Sequence, residues 1–183
     1  LQGSPREIAD LLVSGQADVG IATETVDKVP ELASFPFYSW HHAVIVPHGH
    51  PLITAGEITL ETLSEYPIIT YHEGFTGRAH VDKAFADAGI VPDIVLSAID
   101  ADVIKTYVGL GLGVGVVASV AYDAEQDRSL TLIPVPSLFP ANTTRLAVRR
   151  GTYLRSYAHA FIEKVCPDVG EEAIKAAIKQ QNG

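Results

Sequence analysis

Apolar residues recur along this chain at two spacings, and the alternation of the two predicts an α/β protein. Near the start, Ile8, Leu11 and Leu12 share one helical face. Ser4 stands before them as an N-cap, Pro5 suits the first helical position, and Glu7 falls where a capping box closes. Gly15 supplies a left-handed stop. Residues 17–22 read as a short strand ending at Thr23 and Glu24. Helix, turn and strand make half of a parallel α/β unit. Residues 25–36, with Pro30 and Pro36, read as an irregular link. Residues 37–46 are β-rich and stop at Pro47 and the His48-Gly49-His50-Pro51 turn. Thr59 caps a short helix over 60–66, which Pro67 ends. A strand over 68–71 and a loop over 72–77 follow. The next helix, 78–88, turns Val81, Ala84, Phe85 and Ala88 inward. A strand at 94–98 leads to Asp100, which caps a helix running to about Leu110. Strands are predicted at 114–117, 130–135 and 144–148, then a helix at 153–165 closed by Cys166-Pro167. A weak helix over 171–181 is expected to fray. This order implies a mostly parallel sheet system, with crossings between two lobes near 25–37 and 134–142.

Composition narrows the class. The 183 residues are 47% hydrophobic, enough to offset chain entropy, which excludes disorder. A chain of this length buries roughly 70% of its unfolded surface, enough for one good core or two small ones. The single Cys166 excludes a disulfide framework and a Cys-rich zinc module, and fits a reducing compartment. Thirteen Lys and Arg against 22 Asp and Glu give a net charge of −9. Nucleic acid needs clustered cations, and the only dense group is Arg145, Arg149, Arg150 and Arg155. No apolar run of about 18 residues suggests a membrane span. The first residues show no secretion signal, and with no initiator Met the chain reads as a fragment or processed product.

Ligands of open α/β sheets bind beyond the carboxyl ends of strands, often at helix starts. Thr23 and Thr70 end strands, Thr76 can cap the helix beginning near Gly77, and Asp100 or Ala101 opens another helix. Hydroxyls and N–H groups at a helix start hold a small anion without a formal positive charge. Gly74 and Gly77 let backbone approach a ligand. The plainer reading makes these Thr residues caps only. His41 and His42 face opposite ways on a strand, and His48 and His50 lack a third ligand, so no metal is expected. No P-loop, dinucleotide loop or nucleophile elbow is present. The alternating Gly111, Gly113 and Gly115 follow a helix and enter a strand, which points to a helix stop and close strand packing. Trp40 either lines a cleft or fills the core.

Several stretches together resemble the effector-binding domain of LysR-type transcriptional regulators, in the CysB and Cbl group that governs sulfur assimilation and cysteine biosynthesis. They are Gln2-Gly3-Ser4-Pro5, Ile21-Ala22-Thr23-Glu24, Trp40-His41, residues 47–52, Tyr66-Pro67, Gly74-Phe75-Thr76-Gly77-Arg78, Arg149-Arg150, residues 154–157 and, strongest, the block from Asp100 to Gly115. The likeness reaches to about Val169. It implies an α/β fold of the type 2 periplasmic-binding-protein kind, two lobes joined by two crossover segments with an effector cleft between them. Residues 1–37 with 143–183 would form lobe I, and 38–142 lobe II. The resemblance puts Thr23, Thr76 and Trp40 at the effector site. Thr70, Asp100, Ala101 and Asp102 rank second, beside Gly74, Phe75 and Gly77. It implies a small anionic or acetylserine-type sulfur metabolite as effector, no cofactor, no catalysis, a homodimer, and a cytoplasmic location. DNA contact would belong to a winged helix-turn-helix region that this chain lacks. The first strand and helix of lobe I are also missing. The alternative is a solute-binding protein of a transport system on the same fold. An enzyme on that fold would need an acid, base or nucleophile converging on the cleft, and no such set is found.

Overall fold

The computed structural model describes residues 1–167 and 169–179. Helix α1 (Pro5–Val13) starts as its sequence dictates. Ser4 Oγ accepts from the Glu7 N–H, and Glu7 Oε2 accepts from the Ser4 N–H at 2.7 Å. After β1 (Gly20–Thr23) comes a 3₁₀ turn (Glu24–Lys28), then β2 (Leu32–Trp40) and β3 (His42–Pro47). Next are α2 (Leu60–Ser64), β4 (Ile68–Tyr71), α3 (Thr76–Asp87), β5 (Ile94–Ala98), α4 (Ala101–Gly109) and β6 (Val114–Ala118). Strands β7 (Leu130–Pro134) and β8 (Asn142–Arg149) and helices α5 (Ser156–Val165) and α6 (Glu171–Lys179) complete the chain.

The chain divides into two compact units, Leu1–Ser39 with Asn142–Gly183, and Trp40–Ala141. The first holds a three-stranded sheet in the order β1-β8-β2, with β1 antiparallel to β8. The second holds a five-stranded sheet in the order β5-β4-β6-β3-β7. There β4 runs parallel to β5 and β6, and β3 runs against both of its neighbours. The expectation of mostly parallel sheets therefore fails for β1/β8 and for β3. Local helix–strand alternation does not reveal these pairings, because β8 pairs with β1 across 121 to 127 residues of sequence, from Thr23 with Thr144 to Gly20 with Ala147.

Two further expectations are corrected. Residues 25–36 are not an irregular link, since β2 already begins at Leu32 and buries Leu32, Ala33 and Phe35. Pro36 is tolerated because β2 is an outer strand of its sheet. Helix α6 is not a loose end. Ile174 and Ile178 are buried with Phe35, Leu146 and Ile162, and the Gly151 N–H donates to the Ile178 carbonyl at 2.9 Å. Gln180 and Gln181, the last residues of the predicted helix, lie outside the described residues.

The alternating glycines have the packing role expected of them. Gly111 stops α4 with φ +77°. A Cβ on Gly113 would run into the Pro67 carbonyl, and one on Gly115 would meet Ile45 and Val108 side chains. Gly113→Ala is expected to destabilise the fold by about 1–3 kcal/mol, because backbone cannot yield as a side chain can. A lowered urea midpoint at unchanged m-value would show this.

Candidate functional site

In the second unit, the carboxyl end of β4 leads through a short loop into α3. Gly74 takes φ +96° there, and the space where its side chain would stand is open. Phe75 occupies the N-cap position and gives no side-chain cap. Thr76 is thus the first helical residue and not the cap, a correction of one position. The Phe75 ring lies 6.4 Å from that of Tyr71. Residue-type preference alone favours Thr as a cap.

The first turn of α3 rests on aromatic rings. A Cβ on Gly77 would come within 3.0 Å of His42 Nε2 and 3.4 Å of Trp40 Cη2. Trp40 is 8% exposed and packs edge-to-face on His42, which packs the same way on Phe139, each pair 5.2 Å apart. Trp40 is thus buried, lying beneath the first turn of α3. The turn is also tied down by the buried Arg78. Its Nε donates to Asp82 Oδ1 at 2.7 Å, and its Nη1 to the Tyr71 carbonyl and Ser97 Oγ, each at 3.1 Å. The motif Gly74-Phe75-Thr76-Gly77-Arg78 by itself assigns no role to Arg78. Its i,i+4 spacing to Asp82 was the available signal.

Other candidate positions in this unit serve the fold. Thr70 is fully buried, and its hydroxyl donates to the Val116 carbonyl at 2.9 Å. The structure therefore does not bring it to a surface, because β4 lies inside the sheet. Asp100 caps α4, accepting from the Val103 N–H at 2.9 Å. Ala101 opens that helix, and Asp102 pairs with Lys105 at 3.0 Å. Burial works to lower the Lys105 pKa, but hydrogen bonds to Asp102 and Asp127 outweigh it and raise it. With two carboxylates at its start, α4 suits an anion poorly, whereas the first turn of α3 carries no acidic residue.

In the first unit, Thr23 ends β1 opposite Thr144 and precedes the 3₁₀ turn without capping it through its side chain. That turn is braced by Arg145, whose Nη2 pairs with Asp27 Oδ1 at 2.9 Å and whose Nε donates to Ser34 at 2.8 Å. Arg149 donates to Thr152 and to the Val13 carbonyl, and Arg150 to the Pro30 and Ala177 carbonyls. Most of the dense cation group thus holds the unit together. Beside β1, an apolar groove of about 410 Å³ is lined by residues including Ile8, Leu11, Val19, Ile21 and Phe161.

Among the described residues, no three His, Cys, Asp or Glu are placed to hold a metal, and no helix is long and apolar enough to cross a membrane. His48 bonds Thr131 and the Arg128 carbonyl, and His50 accepts from the Leu52 N–H. Burial lowers the pKa of two histidines, His50 and, more strongly, the buried His42. Burial above all, then the nearby His80, pushes its pKa down to about 4, with the Gly77 backbone opposing. Its folded pKa lies below its unfolded one, so the unfolded chain binds more protons in that interval. Stability is therefore lost as pH falls from about 6.5 towards 4. Melting temperatures across that window should decline less in His42→Asn than in the wild type.

In the second unit two helices start just beyond strand ends, α3 after β4 and α4 after β5, the arrangement of a small-molecule site in open α/β sheets, and comparison with known proteins agrees. The chain belongs to the LysR substrate binding domain family, which it matches over residues 1–165. Its fold is the periplasmic-binding-protein-like type 2 fold of LysR effector-binding domains. It is 52% identical over 179 residues to the HTH-type transcriptional regulator SsuR of Burkholderia cenocepacia, covering 98% of this chain and 58% of that protein. It is 50% identical to CysB of the same organism, over 98% of this chain and 57% of that protein, and 44% identical to cbl of Escherichia coli, over 100% and 58%. The chain thus spans under two-thirds of the length of these relatives. Among solved structures, the cofactor-binding domain of the Cbl transcriptional regulator superposes with a TM-score of 0.93 at 45% identity, covering 99% of this chain and 79% of that one. The chain is of the CysB and Cbl type, and these relatives belong to a family of non-enzymes, with no support for a transport protein.

Proposed function

We propose that this chain senses a small anionic or acetylserine-type metabolite of sulfur assimilation on behalf of a cytoplasmic transcriptional regulator. The observation that carries this is the start of α3, where Thr76 opens the helix beside the open Gly74 and no carboxylate stands in the first turn. Aligned N–H groups and a hydroxyl at such a start favour a small anion. Gly77 and Phe75 shape that start, and Trp40 supports it from below. Thr23, at the end of β1, is assigned the same task in the first unit by the family resemblance. Binding shifts the population of conformations of a homodimer, and a DNA-binding region outside this chain reads that shift. A ligand with equal affinity for both conformations would shift nothing.

Titration calorimetry and thermal shift with O-acetylserine, N-acetylserine, sulfate, thiosulfate and adenosine phosphosulfate test this reading. At least one should bind and raise the melting temperature; no binding by any of them would overturn it. Thr76→Ala should weaken that ligand by about 1–2 kcal/mol, the worth of one charge-assisted hydrogen bond, with its melting temperature unchanged. An unchanged affinity would remove Thr76 from the site.

A further inference from the structure

The start of α3 offers an anion a hydroxyl and N–H groups, while Arg78, the cation of that turn, is engaged inward with Asp82, Tyr71 and Ser97. His42 is a titratable group lying directly against the turn. We propose that His42 supplies the missing counter-charge, an anion bound at the α3 start drawing a proton onto its imidazole. This rests on the reading of that start as the effector site, and adds to it a coupling between effector and proton.

Geometry supports the coupling. Gly77 is the second residue of α3, and its absent side chain is what lets His42 Nε2 approach, at 3.0 Å from where a Cβ would stand. His42 is 1% exposed, so little solvent screens its charge from the turn. Trp40 and Phe139 each pack edge-to-face on the ring at 5.2 Å. The groups facing it are known. His80 from α3 and His41 from its own strand's approach both oppose protonation, the Gly77 backbone favours it, and Trp40 and Phe139 carry no charge.

Without an anion the imidazole stays neutral down to about pH 4. An opposite charge within about 4–6 Å raises such a pKa by about 1–3 units. Linkage is reciprocal, so the anion then binds more tightly as pH falls. A rise of about two units strengthens binding about tenfold at pH 5 relative to neutrality.

Sulfate is the probe, because its charge is fixed over this range. Calorimetry of the chain with sodium sulfate at constant ionic strength, from about pH 7.5 to about pH 5, should show affinity rising about tenfold with uptake of most of one proton. His42→Asn should lose the slope, its affinity no longer changing with pH. NMR titration of the wild-type His42 ring should show its pKa raised by at least about one unit in sulfate, and needs no variant to fold. A flat wild-type profile, an unmoved His42 pKa, or a slope retained in His42→Asn overturns the coupling while leaving the α3 site standing. Absence of sulfate binding at every pH overturns the α3 site as an anion site, and the coupling falls with it.

Discussion

Ending the chain after Gly170 is expected to destabilise the first unit by about 3–6 kcal/mol, the burial free energy of two isoleucine side chains. Ile174 is fully buried and Ile178 nearly so, against Ala33 and Phe35 of β2, Leu146 of β8, and Cys166. Once α6 is gone, the side chains packed against it, Phe35 and Leu146 among them, lose that cover. The helix is also fixed at its far end, where Arg150 and the Gly151 N–H donate to the Ala177 and Ile178 carbonyls. Folded domains hold only about 5–15 kcal/mol in all, so this loss is a large share. Urea unfolding of the truncated and full chains measures it. Ile174→Ala alone should cost about 2–4 kcal/mol. Equal midpoints for the truncated and full chains would show that α6 rests on the unit without holding it. The family match ends at residue 165, so α6 is a core element that lies beyond the matched region.

What was legible in the sequence follows the reach of the forces involved. The Ser4–Glu7 capping box and the Asp100 cap act over three residues, and both stand where the pattern placed them. The Gly111, Gly113 and Gly115 pattern was read through the order of helix and strand, again local information. The apolar i,i+4 pair Ile174 and Ile178 was visible too, but its weight was not, because the residues that bury it come from β2 and β8. Thr70 looked like a strand end open to ligand, and only the pairing of β4 between β5 and β6 shows that its hydroxyl turns to Val116. Strand ends and helix starts pointed to Thr23 and Thr76, and the family resemblance agreed, but neither pointed to His42 under Gly77, a contact between residues 35 apart. Side chains that brace a site from behind leave little periodic trace, and Arg78 and Arg145 are of that kind.

Arg78→Ala should injure both the fold and the proposed site, and more severely than loss of Thr76. The guanidinium joins three elements: Asp82 within α3, the Tyr71 carbonyl at the end of β4, and Ser97 on β5. Glu73 in the intervening loop lies within 3.7 Å, but its side chain is exposed and contributes little. Asp82 is also partly exposed, so the main cost is the stranding of the Tyr71 carbonyl and Ser97, with the packing lost where the side chain stood. Together these should cost about 3–4 kcal/mol. With the anchor gone, the first turn of α3 is no longer tied to the sheet, and its N–H groups lose the alignment an anion requires. Affinity for the effector should therefore fall by more than the roughly five- to thirtyfold expected of Thr76→Ala. Arg78→Lys keeps the charge but not the planar fork, so it should fall between wild type and Ala in both readouts. Melting temperature and calorimetric affinity, measured together, separate the two residues. Thr76→Ala should move affinity alone, and Arg78→Ala both. If Arg78→Ala melts like the wild type, the bonds to Tyr71 and Ser97 do not hold α3 in place, and the position of Thr76 must then come from the packing of Gly77 on Trp40 and His42.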